Sequence, residues 1–300
     1  MAIRSKLLRA QLAFLKPILD HCSVETARKA QDQLGRIMYA PKKGKVSAER
    51  KEFPSFVGEW IIPKKEKRDK TRSPLVILYL HGGGYVSGNI DYARGFGATL
   101  AVKYRFRVFA AAYRLGPENR HPAALEDAET AFSYLTESGF PPERIVLCGE
   151  SAGGGLCFSL ALALKARGIR PAGIIALSPW TDLTQSGASC TEKNEADPAL
   201  SKERLDFYAG LYTDTPEDPL VSPLFGDLAG IAPSLIFVGG DEVLLDDSRR
   251  ICDRLLAAGS SASLTVTPGM WHVYPLYGVK EAKKDFEKME RFLTTLYDEN

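Results

Sequence analysis

Histidine is scarce in this chain: His21, His81, His121 and His272 are the only four among 300 residues. Any chemistry that needs an imidazole must draw on that short set. Cysteine is sparse too, with Cys22, Cys148, Cys157, Cys190 and Cys252 scattered and odd in number. No C-x-x-C pair occurs, which excludes a metal-binding cysteine site, and the odd count argues against a disulfide framework. A reducing, cytoplasmic setting is the expectation. No run approaches the ~20 apolar residues of a membrane span. The first twenty residues carry Arg4, Lys6, Arg9 and Lys16 and no small-residue cleavage site, so they do not read as a secretory signal. Strong net charge is also absent. The total is +2, although residues 1–72 hold 18 Lys+Arg against 8 Asp+Glu. That basic stretch reads as a solvated helix face and loop, so neither nucleic acid nor stable membrane association is expected. Repeats and low-complexity tracts are lacking.

What is present begins with Gly149-Glu150-Ser151-Ala152-Gly153. An apolar run, Ile145-Val146-Leu147-Cys148, leads in, and a helix-competent stretch from Gly155 to Leu164 leads out. This is the strand, sharp turn and helix that expose a nucleophilic serine, with glycines where a Cβ would clash. The turn also sets Ser151 at the positive end of the following helix. Upstream, His81-Gly82-Gly83-Gly84-Tyr85 directly follows the apolar run Leu75 to Leu80. A glycine run there lets backbone N–H groups approach a developing oxyanion closely.

Strands and helices alternate around these motifs. Expected strands lie at 56–62, 75–80, 108–113, 145–149, 173–177, 235–238 and 263–266. Fully apolar strands alternating with helices mean a mostly parallel sheet covered on both faces, an α/β fold. Four segments divide the chain: an N-terminal helical part at 1–50, core at 51–182, an insertion at 183–217, and core again at 218–300. Residues 2–36 read as helix, kinked or divided at Pro17, and 40–52 as charged loop. Residues 63–74 read as a basic hairpin loop. Leu8, Leu12, Leu15 and Leu19 keep one helical face. That face is expected to pack with the insertion as a helical cap over Ser151, with Tyr85, Phe207, Tyr208 and Tyr212 filling the space around it.

A serine hydroxyl needs a base. In the order serine, acid, histidine, only His272 lies beyond Ser151, just after the turn Thr267-Pro268-Gly269. The acid that orients it is expected to be Asp241, which follows the apolar run Leu235 to Val238 and two glycines. Glu242 is its nearest rival by position. Asp182 is a weaker candidate, and Asp246 and Asp247 read as caps of the next helix.

Together these residues resemble the hormone-sensitive-lipase-like esterase branch of the α/β-hydrolase superfamily. The resemblance covers nearly all of 73–290. It rests on His81 to Gly84, Tyr113-Arg114-Leu115-Gly116-Pro117-Glu118, Gly149 to Gly154, Asp218-Pro219-Leu220-Val221-Ser222-Pro223, Asp241 and His272. It implies an α/β-hydrolase fold with a two-part cap and an oxyanion hole from the N–H groups of Gly83, Gly84 and Ala152. His81 and Glu150 would support the site. Two departures stand out: Glu150 where aspartate is frequent, and Gly116 where alanine is common. The implied activity is serine carboxylic-ester hydrolysis of small, short-acyl esters, without cofactor or metal, by a monomer or homodimer. Lactone or amide hydrolysis shares the chemistry. An interfacial lipase is a further alternative, against which the chain offers no extended exposed apolar segment. A non-catalytic receptor on this fold would lack His272.

Overall fold

Fully apolar runs of five or six residues cannot sit at a surface, and here they become the middle of one sheet. The computed structural model describes residues 1–67 and 75–299. Among these, the strands are β1 (Val46–Glu52), β2 (Val57–Pro63), β3 (Val76–Leu80), β4 (Arg107–Ala112), β5 (Ile145–Glu150), β6 (Gly173–Leu177), β7 (Ser234–Gly239) and β8 (Ala262–Thr267). They form one sheet in the order β1-β2-β4-β3-β5-β6-β7-β8. The β1–β2 and β2–β4 pairs are antiparallel and the rest parallel. Every residue of β3, β5, β6 and β7 is buried, as the unbroken apolar runs require.

The helices are α1 (Ile3–His21), α2 (Val24–Tyr39), α3 (Ile90–Tyr104), α4 (Ala123–Glu137), α5 (Ala152–Lys165), α6 (Ser189–Glu192), α7 (Lys202–Tyr212), α8 (Leu245–Ala257) and α9 (Lys283–Glu299). One core layer joins the sheet to α4, α5 and α8 through residues such as Phe132, Leu156 and Ile251. The other joins it to α3 and α9 through Phe96, Leu100, Met289 and Leu293. Burying each such side chain contributes roughly 1.5–3 kcal/mol.

Three readings of the sequence need correction. Residues 46–52, read as loop, form edge strand β1, six of whose seven residues are exposed. A solvated edge carries no apolar alternation, so it has no hydrophobic signature. Pro17 does not divide the first helix; α1 runs on to His21. The break falls where the Ser23 hydroxyl accepts the Thr26 N–H and starts α2. The stretch after β2 is not a hairpin turn, because β2 pairs with β1 and β4 rather than β3. Residues 68–74 of that stretch lie outside the described residues.

Candidate active site

The parallel strands end on one side of the sheet, and four of the turns there carry the chemistry. Ser151 follows β5, and its φ of 54° and ψ of −124° hold it in a strained turn at the start of α5. Only glycine fits on either side. A Cβ at Gly149 would lie 2.3 Å from Gly153 O, and one at Gly153 would lie 2.1 Å from Leu80 O. The strain is locked in by backbone bonds: Ser151 N–H donates to Leu177 O at 2.9 Å, and Ser151 O accepts from Trp180 N–H at 3.0 Å.

His272 follows β8, and its Nε2 stands 2.9 Å from Ser151 Oγ. Its Nδ1 stands 3.3 Å from Oε1 of Glu242, which is wholly buried. The expected acid, Asp241, is not there. Its carboxylate turns outward and binds Arg9 Nη1 at 2.9 Å. The cause is the tight turn after β7, where consecutive side chains leave in different directions. Asp241 N–H donates to Met270 O, and Glu242 folds back so that Oε2 accepts Gly239 N–H at 2.7 Å and Ser178 Oγ–H at 2.8 Å. Glutamate has the extra methylene that this return path needs. The rival carboxylates are occupied elsewhere. Asp182 accepts from Thr184, Ser186 and Arg250. Asp246 accepts Ser189 N–H, and Asp247, instead of capping α8, accepts the N–H groups of Thr181 and Asp182.

With a carboxylate at Nδ1, the imidazole carries its proton there and presents a lone pair at Nε2 to the serine hydroxyl. That arrangement can deprotonate Ser151 as it attacks a carbonyl carbon and then protonate the leaving group. The resulting oxyanion needs donors. Gly83 (φ 117°) and Gly84 (φ 63°) sit in the turn after β3, and Ala152 begins α5. Among the described residues, none of these three N–H groups donates to a protein acceptor.

Glu150 and His81 brace this floor. Buried Glu150 accepts Gly82 N–H at 2.7 Å and the Tyr79 hydroxyl at 2.5 Å. Burial still pushes its pKa up to about 7. The longer glutamate side chain thus ties β3, β5 and the glycine turn together. His81 stacks on Tyr113 with ring centroids 4.4 Å apart, and Tyr113 donates to His81 O at 2.6 Å. Burial lowers the His81 pKa to about 4, so this imidazole is a neutral wedge. Gly116 is explained by α7: an alanine Cβ would come 2.8 Å from Leu211 O.

A cavity of about 340 Å³ opens over Ser151, lined by Leu12 and Leu19 of α1, Leu34 of α2, Leu205 and Tyr208 of α7, and Val273. Tyr85 and Tyr212 do not reach it; they stack on each other 4.0 Å apart in the core. Phe207 faces solvent. Two residues without a sequence motif complete the surroundings. Arg9 bridges Asp241, Gly269 O at 2.8 Å and Ala196 O at 2.6 Å. Asp197 is wholly buried, accepts the N–H groups of Ala199 and Val243, and is pushed by burial up to about 6 although His272 pulls it down.

Residues 77–276 match the family described as alpha/beta hydrolase fold. An acetyl-hydrolase of Streptomyces hygroscopicus is 38% identical over 243 residues, 79% of this chain and 79% of its own. An esterase of Acinetobacter venetianus is 32% identical over 238 residues, covering 77% and 78%. The crystal structure of an esterase from the bacterial hormone-sensitive lipase family superposes with a TM-score of 0.85 at 34% identity, covering 97% of each chain. No described helix is long and apolar enough to cross a membrane. The chain belongs to the alpha/beta hydrolase family, in its hormone-sensitive-lipase-like esterase branch, and is a carboxylesterase-type serine hydrolase.

Proposed function

We propose that Ser151, His272 and Glu242 are the catalytic triad and that the substrates are small, short-acyl esters. The observation that carries the reading is the continuous line from Ser151 Oγ through the imidazole to the Glu242 carboxylate. Ser151 attacks the ester carbonyl and His272 takes its proton. The tetrahedral oxyanion is received by the N–H groups of Gly83, Gly84 and Ala152. Collapse expels the alcohol, which takes its proton from the imidazolium, and leaves an acyl-enzyme. Water then repeats the sequence with His272 as base and frees the acid. His81 and Glu150 hold the glycine turn.

Residues 1–50 and 183–217 act together as a cap over this machinery. The cavity volume lies near the lower end of ordinary ligand sites. Its apolar lining at Leu12, Leu19, Leu34 and Leu205 favours acetyl to roughly hexanoyl groups (about six carbons) within a site of that size. The relative that hydrolyses acetyl groups points the same way. Five unpaired cysteines, four of them buried, support a reducing, cytoplasmic setting. Initial rates on p-nitrophenyl acetate, butyrate, octanoate and palmitate test the acyl preference. A maximum at octanoate or longer, or a jump above the substrate's solubility limit, overturns it. Matched lactone and anilide substrates separate ester hydrolysis from lactone and amide hydrolysis.

A further inference from the structure

The N–H groups of Gly83 and Gly84 belong to peptide planes whose other ends are the carbonyls of Gly82 and Gly83. A trans peptide is planar, with its C=O and N–H pointing opposite ways, so whatever holds the carbonyl aims the N–H. The second plane is held from within the turn: Gly83 O accepts Val86 N–H at 3.1 Å and Ser87 N–H at 2.9 Å. The first is held partly from outside it. Gly82 O lies 2.7 Å from His81 Nδ1 and accepts a proton of Gln31 Nε2 at 3.2 Å. Gln31 stands on α2, 51 residues away in the chain. Its amide is itself fixed, because its Oε1 accepts the Ser87 hydroxyl. The fit is close: a Cβ on Gly83 would lie 2.7 Å from Gln31 Oε1.

We propose that Gln31 is a positioning residue for the oxyanion hole, fixing and polarising the Gly82–Gly83 peptide from helix α2. The inference rests on the oxyanion reading given above. An amide whose carbonyl accepts a hydrogen bond is a stronger N–H donor, since linked hydrogen bonds polarise one another. Full negative charge appears on the substrate oxygen only as the tetrahedral species forms. An interaction that acts through Gly83 N–H therefore favours that species over the bound ester. Helix α2 thereby adds to the rate and not only to the cover over Ser151. A direct contact with substrate fits less well. Gln31 does line the cavity, but the oxygen and the nitrogen of its amide are both engaged by protein.

Gln31→Met keeps the length of the side chain and removes both hydrogen bonds. On p-nitrophenyl butyrate it is expected to lower kcat about tenfold with KM within about twofold, less than the roughly 10²–10³ lost when a donor itself is removed. The probe for the hole is trifluoromethyl butyl ketone. Ser151 Oγ bonds to its carbonyl carbon, the C=O electron pair moves onto oxygen as an oxyanion, and His272 takes the serine proton. Methyl butyl ketone forms no stable adduct of this kind and is the reference. Wild type is expected to prefer the fluorinated ketone strongly, and Gln31→Met to lose about tenfold of that preference. Lys29→Met, on the same helix but exposed and paired with Glu25, is expected to match wild type in every reading. If Gln31→Met melts at a lower temperature, Ser87→Ala decides. It frees the amide without altering α2 and is expected to lower kcat and the ketone preference together, about threefold. A kcat that does not fall, whatever KM does, overturns the proposal. So does a kcat that falls while the ketone preference stays. Wild type without that preference overturns the oxyanion reading, and this inference with it.

Discussion

A single methylene separates the expected acid from the one proposed. Asp241 and Glu242 are adjacent carboxylates in one turn, yet one is spent on Arg9 and the other lies against His272. Glu242→Gln is therefore expected to lower kcat by roughly 10⁴, as when a triad acid is neutralised elsewhere. Asp241→Asn, which removes only the partner of Arg9, is expected to stay within about tenfold. Steady-state kinetics on p-nitrophenyl butyrate separates the two, and the reverse ranking reinstates Asp241. The candidate serine and the glycine turn could be read from the sequence because local backbone geometry constrains them, and the candidate base because only His272 lies beyond Ser151. The sequence could not choose between neighbouring carboxylates, because that choice depends on the Gly239 and Ser178 donors that turn Glu242 inward. Asp197 and Arg9 were illegible for a related reason: their roles lie in contacts across about 45 and 230 residues of chain.

The elements divide by how much of their position is local. Strands β3, β5, β6 and β7 were legible within about a residue, because complete burial demands unbroken apolar runs. Edge strand β1 was not, because solvent on most of its length removes the pattern. Helix α1 lies between these cases. The inward face of α1 was readable from Leu8, Leu12 and Leu19, but Leu15 of the same set turned out exposed. The inward cations of α1 join it to the loops bearing Asp241, Gly269 and Ala196. Deleting residues 1–35 is accordingly expected to cut kcat/KM on butyrate at least tenfold and to flatten the preference for short chains, since Leu12, Leu19 and Leu34 line the cavity. A truncated protein that stays soluble with the same chain-length profile would show that this helix pair does not shape the pocket.

Across the whole molecule, several buried carboxyls hold their protons to higher pH than exposed ones do. Burial raises Asp247 to about 8, Glu150 to about 7 and Asp197 to about 6. Each folded value exceeds the unfolded reference near 4. The native state therefore keeps protons that the unfolded chain releases. Their contribution to stability is fully present below pH ~4 and is lost as pH rises through those folded values. Asp247, remote from Ser151, isolates the effect. Asp247→Asn is expected to lessen the fall in guanidinium midpoint between pH 5 and 9, and an unchanged fall would refute the assignment. The proposed mechanism turns on a covalent step at one atom, Ser151 Oγ. The most direct measurement is rapid-quench mass spectrometry with p-nitrophenyl butyrate, followed by peptide mapping. The expected result is one butyryl group on the peptide carrying Ser151, present in wild type and absent in Ser151→Ala, whose turnover falls by about 10⁶. Butyryl on another residue, or near-native turnover by Ser151→Ala, would contradict it.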